Sequence, residues 1–390
     1  MISFSEALDT IKANVPASKV ITIKLSEALG SYCACDIYAP LDLPLFDNSA
    51  VDGFALCLKD IQDSHKITLI QTIRALGQET YSLSPQNCVK IMTGAPLPLN
   101  ADCVIMKEDA DILDGALSFT RIPVLGAHIR KRGEDIKKGH LVASAGMRIT
   151  PQLMAVLLGL GILEVRVIKK PRVVIICTGD ELVEAPQKLK HGEVYFLVGP
   201  MLQAQFQALG IEDIEVVRVG DSEEIITEHL QRACDADLVL VTGGMSKGDY
   251  DFVRPALKRV GVQEIFYQGC WRPGKPLYFG RLENTCFFGL PGNPVACFVG
   301  LRIFVQAWLS CLFKTHNSLS SAELVNNFSK PRDFTFFARA HVDHTHKLTI
   351  MPTQGSHEIF SLSQANALCY VPAGLSELHV GNQVEYWPLN

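Results

Sequence analysis

Short apolar runs without alternation recur through the middle of the chain, at residues 173–176, 238–241 and 286–290. Strands buried on both faces of a parallel sheet read this way. Helical spacing fills the intervals. Residues 201–209 read as a helix stopped by Gly210, and Ser222 caps another that carries Ile225, Ile226 and Leu230. Residues 214–219 read as a further strand, ending at Gly220-Asp221. Strand, loop and helix in repetition predict a three-layer α/β domain with a mostly parallel sheet. Upstream, Ser5 is expected to cap a helix with Leu8, Ile11 and Val15, and Ser26 a second that runs to Gly30. Thr150 caps a third, with Pro151 at its first position, Leu153, Val156, Leu157 and Leu160 on its buried face, and Gly161 at its end. Residues 66–70, 89–92 and 104–106 read as strands of a small β-rich domain. Beyond a polar linker at residues 314–321, short alternating runs such as 339–343 and 384–387 predict a small β-barrel or sandwich.

Composition narrows the class. At 390 residues the chain is too long for one core, so two to four domains are expected. Hydrophobic content of 48% with 20% charge describes an ordered globular protein. A net charge of −5 leaves no footprint for nucleic acid. The longest apolar region, residues 294–313, contains Arg302 and Gln306, which favours a buried helix over a membrane span. Glu6 and Asp9 interrupt the first turns, so no signal peptide is expected. The 12 cysteines are scattered, and Cys33-Ala-Cys35 fits no common zinc pattern. Reduced thiols in a cytoplasm are the expectation.

Candidate chemistry gathers at strand ends. The run at 238–241 enters Thr242-Gly243-Gly244, where glycine lets the backbone turn sharply and turn its amides toward phosphate. Ser246, Lys247, Asp249 and Asp251 follow within a few residues. Ligands of open α/β sheets bind beyond the carboxyl ends of the strands. That rule brings Thr178-Gly-Asp-Glu181, Gly220-Asp221, Thr242-Gly-Gly244 and Pro291-Gly-Asn-Pro294 to one edge. Asp180, Glu181, Asp221, Asp249 and Asp251 would crowd there and raise each other's pKa. A divalent cation such as Mg²⁺ relieves the crowding. Arg272-Pro-Gly-Lys275-Pro276 adds two cations in a proline-bounded loop. The alternatives are a metal-assisted site for a phosphorylated ligand and a set of ordinary turns. Three further stretches stay open between site and surface. Residues 39–54 hold Asp42, Asp47, Asn48, Ser49 and Asp52, and read as a turn with Asx hydrogen bonds or as a ligand loop. Residues 128–135 place three basic side chains before Gly133, as a solvated surface or an arm reaching an anion. Gln354-Gly-Ser-His357 is a turn with a hydroxyl and an imidazole, and a lone histidine there is commonly a surface residue.

The chain resembles the molybdopterin molybdenumtransferase family, to which the C-terminal domain of gephyrin is also similar. The resemblance runs nearly end to end through Phe46-Asp-Asn-Ser-Ala-Val-Asp-Gly-Phe54, Ile91-Met-Thr-Gly-Ala-Pro96, Arg132-Gly-Glu-Asp135, Thr178-Gly-Asp-Glu-Leu182, Gly243-Gly244, Pro273-Gly-Lys-Pro276, Leu290-Pro-Gly-Asn-Pro294 and Gln354-Gly-Ser-His357. It implies a multidomain α/β plus β fold. The parts would be a helical and extended N-terminal domain (residues 1–40 and 138–168), a β-rich domain (41–137), a three-layer α/β molybdopterin-binding-like domain (169–314) and a C-terminal β-barrel-like domain (315–390). It also implies a reaction: molybdate is inserted at the dithiolene of adenylylated molybdopterin, AMP is released, and Mg²⁺ assists. The partners implied are those two substrates, a second copy in a homodimer with the active site at the subunit interface, and molybdoenzymes that receive the product.

By motif position, Asp52, Asp135, Glu181, Asp221, Asp251 and Lys275 are the implied catalytic residues, with Glu181, Asp221 and Asp251 as metal and phosphate-side acids. Thr93, Arg130, Thr178, Gly243, Gly244, Ser246, Arg272, Pro291, Gly292, Asn293, Arg339 and Ser356 are the implied substrate contacts. Lys275, Arg339 and Ser356 form the implied oxyanion site. Three departures from the family pattern stand out. Arg272 replaces a lysine, apolar Tyr195-Phe-Leu-Val-Gly199 replaces an Asp-Ser/Thr-Asn segment, and Lys247 replaces a small apolar residue. The readings are therefore an active insertase, a non-catalytic binding or scaffold paralogue, and a nucleotide-processing enzyme on the same fold.

Overall fold

A computed structural model describes residues 1–63, 66–74, 81–245, 251–315, 318–331 and 333–389. The chain divides into two units. One comprises Met1–Ile21, Gly30–Ala34 and Arg166–Asn390, the other Thr22–Leu29 and Cys35–Val165.

The first unit opens with helix α1 (Phe4–Ala13). Its cap is Ser3 and not Ser5: Ser3 stands three residues before Glu6, and the two close a reciprocal capping box. The central sheet is built from β1 (Val173–Thr178), β2 (Ile214–Val219), β3 (Leu238–Thr242), β4 (Gln263–Tyr267), β6 (Tyr278–Leu282) and β7 (Thr285–Leu290). Between β4 and β6 lies the two-residue β5 (Trp271–Arg272). The spatial order is β2-β1-β3-β7-β6-β4; the first four strands pair in parallel, and β6 pairs antiparallel with both β7 and β4. Helices α2 (Val198–Ala208), α3 (Glu223–Arg232) and α4 (Val253–Val260) connect them. Alternate residues of each apolar run feed two cores. Val173, Ile175, Leu238, Leu240 and Phe288 pack with Leu202 and Phe206 of α2. Val174, Ile176, Val239, Val241 and Phe287 pack with Ile226 of α3 and Leu257 of α4. The layered prediction holds because strands buried on both faces need no polar alternation.

Pro294–Leu312 forms the long helix α5. By length and composition it could cross a membrane, yet 72% of its most apolar window is buried within the unit, as expected of a core helix. Strands β8 (Ser320–Leu324), β9 (Thr335–Val342), β10 (Lys347–Ile350), β11 (Ala367–Val371) and β12 (Gln383–Pro388) close into a barrel in the order β9-β10-β8-β12-β11, sealed by β11 against β9. An aromatic cluster joins α1, α5 and the barrel. The Phe337 ring lies 5.1 Å from Phe4, 6.2 Å from Phe304 and 5.7 Å from Trp387.

The second unit is built on a six-stranded sheet in the order Cys103–Met106, Gly53–Leu56, Asn87–Ile91, Thr68–Ile73, Ala116–Phe119, Ala110–Leu113. Phe54, Val89, Ile91, Val104 and Ile105 are in its core. Thr150 caps Pro151–Gly159 as its sequence predicts. The expected helix after Ser26 is a single 3-10 turn, Leu25–Glu27. A segment that short cannot repay helix nucleation.

All three tryptophans of the chain, Trp271, Trp308 and Trp387, lie in the first unit, so their emission reports on that unit alone. Phe337→Ala should cost it about 3–5 kcal/mol, the range for deleting a fully buried ring. The measurement is the urea midpoint followed by tryptophan emission; a loss below about 1 kcal/mol would mean the cluster does not hold these parts together.

Candidate functional site

The parallel ladder aligns the strand ends. Thr178 pairs with Val219, Cys177 with Thr242, and Thr242 with Leu290. The loops that leave those positions therefore start level. Together they line a cavity of about 710 Å³ that holds Thr178, Glu181, Asp221, Gly243, Gly244, Asp251, Pro291, Gly292 and Asn293. Nine of the expected site residues thus share one wall-to-wall space. Ser246, Lys247 and Asp249 lie outside the described residues.

Gly243 sets the closeness of these loops. Its φ is +87°, and a Cβ there would sit 2.6 Å from the Thr178 carbonyl oxygen. Its N–H donates to the Leu290 carbonyl at 3.3 Å, tying the third loop to the fourth. The Thr178 hydroxyl is buried and has no hydrogen-bond partner among the described residues.

The acids are arranged differently from a crowd of unpaired carboxylates. The Asp180 N–H donates to Asp221 Oδ2 at 3.3 Å, and the Asp221 N–H donates to Asp180 Oδ1 at 3.2 Å. Each carboxylate thus answers the other loop's amide, which offsets part of the repulsion. Glu181 is exposed and Asp221 and Asp251 half-buried. Among the described residues, no three His, Cys, Asp or Glu side chains form a ready metal cluster. A largely apolar stretch, Val194, Tyr195, Phe196, Leu197 and Val198, also lines the cavity, and the Val194 N–H donates to the Glu181 carbonyl at 2.9 Å. Helix α2 starts there without a side-chain cap.

A second cavity of about 360 Å³ adjoins the first, sharing Pro276, Pro291 and Asn293 with it. Arg272, Lys275, Phe336, Gln354 and Ser356 also line it. The cation loop is held by three contacts. β5 pairs in parallel with β9, Trp271 against Thr335 and Arg272 against Phe336. The Trp271 indole N–H donates to the Gly274 carbonyl at 2.9 Å. The Arg272 guanidinium lies over the Phe334 ring at 4.5 Å. Neither Arg272 nor Lys275 has an acidic partner within salt-bridge distance among the described residues. Their charge is left to the cavity.

Arg339 departs from expectation. It is 1% exposed and does not line this cavity. Its Nη1 donates to the Gly355 carbonyl at 3.1 Å and its Nη2 to the Thr353 carbonyl at 3.0 Å. Burial lowers its pKa from the ordinary value, with Glu358 acting in the opposite direction. Arg339 therefore braces the loop that carries Ser356. The reason is positional: Arg339 faces inward on β9, where carbonyl oxygens, and not solvent, are the acceptors in reach.

The second unit holds its own polar group. Asp52 Oδ1 accepts from the Thr93 N–H at 2.8 Å and the Thr93 hydroxyl at 2.9 Å, and Lys107 stands 3.6 Å from Asp52 Oδ2. These hydrogen bonds, the backbone one first, hold the Asp52 carboxyl below its usual range. The basic run is no free arm. Lys131 pairs with Asp47 at 2.8 Å and Arg132 with Asp42 at 2.5 Å. Arg130 is exposed on a short strand paired with Asn48. The Asp135 side chain is exposed, and its N–H donates to the Leu43 carbonyl at 3.1 Å.

Sequence reasoning did not assign Tyr195, His357 and Ile359 to the first cavity, nor Phe336 and Gln354 to the second. The strand-edge rule reaches the loops after parallel strands; these residues arrive from a side excursion and from the barrel.

Glycine turns and acids along one sheet edge, with unpaired cations beside them, define an α/β protein suited to a ligand bearing phosphate and a second oxyanion. Family models agree on what kind. Residues 2–161 match the MoeA N-terminal region (domain I and II), residues 174–310 a probable molybdopterin binding domain, and residues 321–389 the MoeA C-terminal region (domain IV). A molybdopterin molybdenumtransferase of Haemophilus influenzae is 36% identical over 80% of this chain and 78% of its own. Molybdopterin molybdenumtransferase 2 of Mycobacterium tuberculosis is 31% identical over 100% of both. The crystal structure of a molybdopterin biosynthesis MoeA protein from Pyrococcus horikoshii superposes with a TM-score of 0.85 at 27% identity, covering 100% of both chains. The chain belongs to the molybdopterin molybdenumtransferase family.

Gly243→Ala should destabilise the first unit by about 1–3 kcal/mol, the cost of forcing a side chain into left-handed backbone, with the steric conflict at Thr178 added. Melting followed by tryptophan emission checks it. A variant that melts with the wild type would show that the loops do not need this close approach.

Proposed function

We propose that the chain is an active molybdopterin molybdenumtransferase, inserting molybdate into adenylylated molybdopterin with Mg²⁺-dependent release of AMP. Family membership supports the reaction class. The observation that carries the reading within this chain is the pair of adjoining cavities, one walled by acids and glycine turns, the other by unpaired cations. Molybdate is a dianion and needs cationic and hydroxyl donors; Lys275, Arg272 and Ser356 supply them, with Arg339 behind. The amides at Gly243 and Gly244 and the unsatisfied Thr178 hydroxyl suit the phosphate side. Holding both substrates in adjoining spaces makes their encounter local.

The donor set of Glu181, Asp221 and Asp251 is all carboxylate, which fits a hard cation. Mg²⁺ keeps several waters and takes one or two carboxylates together with substrate phosphate, so it requires no preassembled three-acid cage. When bound, it would polarise the phosphoryl oxygen of the adenylate. The reading extends to a cytoplasmic homodimer with the active site at the subunit interface, to which Asp52, Thr93, Arg130 and Asp135 contribute, and to handover of the product to molybdoenzymes. The resemblance supports those extensions.

A second reading, a molybdopterin-binding protein without turnover, draws on the apolar stretch at Phe196, Leu197 and Val198. One assay separates the two. Purified protein with adenylylated molybdopterin, molybdate and Mg²⁺ should release AMP, and EDTA should stop it. Tight substrate binding with no AMP would favour the second reading. Glu181→Gln and Asp251→Asn should each slow release about a hundredfold, the scale for losing one electrostatic group at a reacting centre, with melting unchanged. Full turnover in either variant would remove that acid from the site.

A further inference from the structure

Resting on the oxyanion reading of the second cavity, we propose that Glu358 is a positioning residue that sets the Ser356 loop for molybdate. The loop leaves β10 and turns back along β9 before the short helix Phe360–Gln364. Gln354 anchors its start: its Oε1 accepts the Arg339 N–H, and its Nε2 donates to the Arg339 and Met351 carbonyls, all at 2.9 Å. Gly355, the residue before Ser356, is held from both sides. Arg339 Nη1 takes its carbonyl at 3.1 Å. Its N–H donates to Glu358 Oε2 at 2.5 Å. The Glu358 N–H returns to the same Gly355 carbonyl at 3.2 Å, so carboxylate and backbone of one residue close a small ring.

The same Oε2 stands 3.7 Å from Arg339 Nη2 and is the one carboxylate within salt-bridge distance of that guanidinium among the described residues. That charge offsets the burial of the Arg339 guanidinium, whose Nε has no hydrogen-bond partner among the described residues. Removing Glu358 therefore frees the Gly355 amide and leaves a buried cation with no counter-charge. Both changes act on the backbone that carries Ser356 toward Lys275 and Arg272. Glu358 itself does not line the cavity.

The sign of the effect separates positioning from mere proximity. A carboxylate that only stood near an oxyanion site would repel molybdate, and neutralising it would tighten binding. A carboxylate that holds the loop has the opposite signature. Truncation weakens molybdate, and glutamine, which keeps an acceptor for the Gly355 N–H but not the charge facing Arg339, weakens it less.

The test uses the full chain with Mg²⁺. Molybdate affinity is measured by isothermal titration, and AMP release is measured with molybdate and adenylylated molybdopterin varied in turn. Glu358→Ala should raise the Kd and KM for molybdate about tenfold, the scale of one lost charge-assisted hydrogen bond. It should leave the KM for adenylylated molybdopterin and kcat at saturating molybdate within about twofold, which marks loss of one binding contact only. Glu358→Gln should stay within about threefold of wild type for molybdate. Tighter molybdate in both variants, unchanged molybdate in Glu358→Ala, or a rise in both KM values together would overturn the proposal. Wild-type protein that binds no molybdate would overturn the oxyanion reading and this inference with it. Wild-type binding with an indifferent Glu358→Ala would overturn this inference alone.

Discussion

In-register parallel pairing is the constraint on which the first unit depends. A parallel ladder fixes where each strand ends relative to its neighbours. Here it sets Thr178 beside Val219 and Thr242 beside Leu290. Loops separated by more than a hundred residues then begin at one level and can wall a single cavity. A slip of one residue in β3 would exchange the faces on which Val239 and Leu240 lie and ruin both cores. Packing of the two helical layers thus protects the geometry of the loops.

The second cavity depends on a different seam. β5 is two residues long, yet it pairs with barrel strand β9 and fixes the cation loop against the loop that carries Ser356. The aromatic cluster around Phe337 bonds the same strand to α1 and α5. Barrel and sheet therefore meet through β9 from two directions. Arg339, on that strand, is spent on bracing and not on display.

The electrostatic design is a division of labour. Acids answer backbone amides on one side; Arg272 and Lys275, without acidic partners in reach among the described residues, hold positive charge on the other. A net charge of −5 says nothing of this arrangement, because fields in a cleft follow local placement and not totals.

Apolar periodicity and turn chemistry determined much by themselves. The strands at Val173–Thr178, Ile214–Val219 and Leu238–Thr242, the caps at Thr150 and Ser222, and the loops at one sheet edge were all legible. The reason is that burial on two faces, capping and glycine turns are local demands written in neighbouring residues. Tertiary structure alone decided the rest. It turned Arg339 inward, tied Lys131 and Arg132 to Asp47 and Asp42, brought Tyr195 and His357 to the first cavity, and set Glu358 against Arg339 behind the second. Each of those outcomes rests on which partner a polar group finds when distant segments pack, and no spacing along the chain encodes that distance.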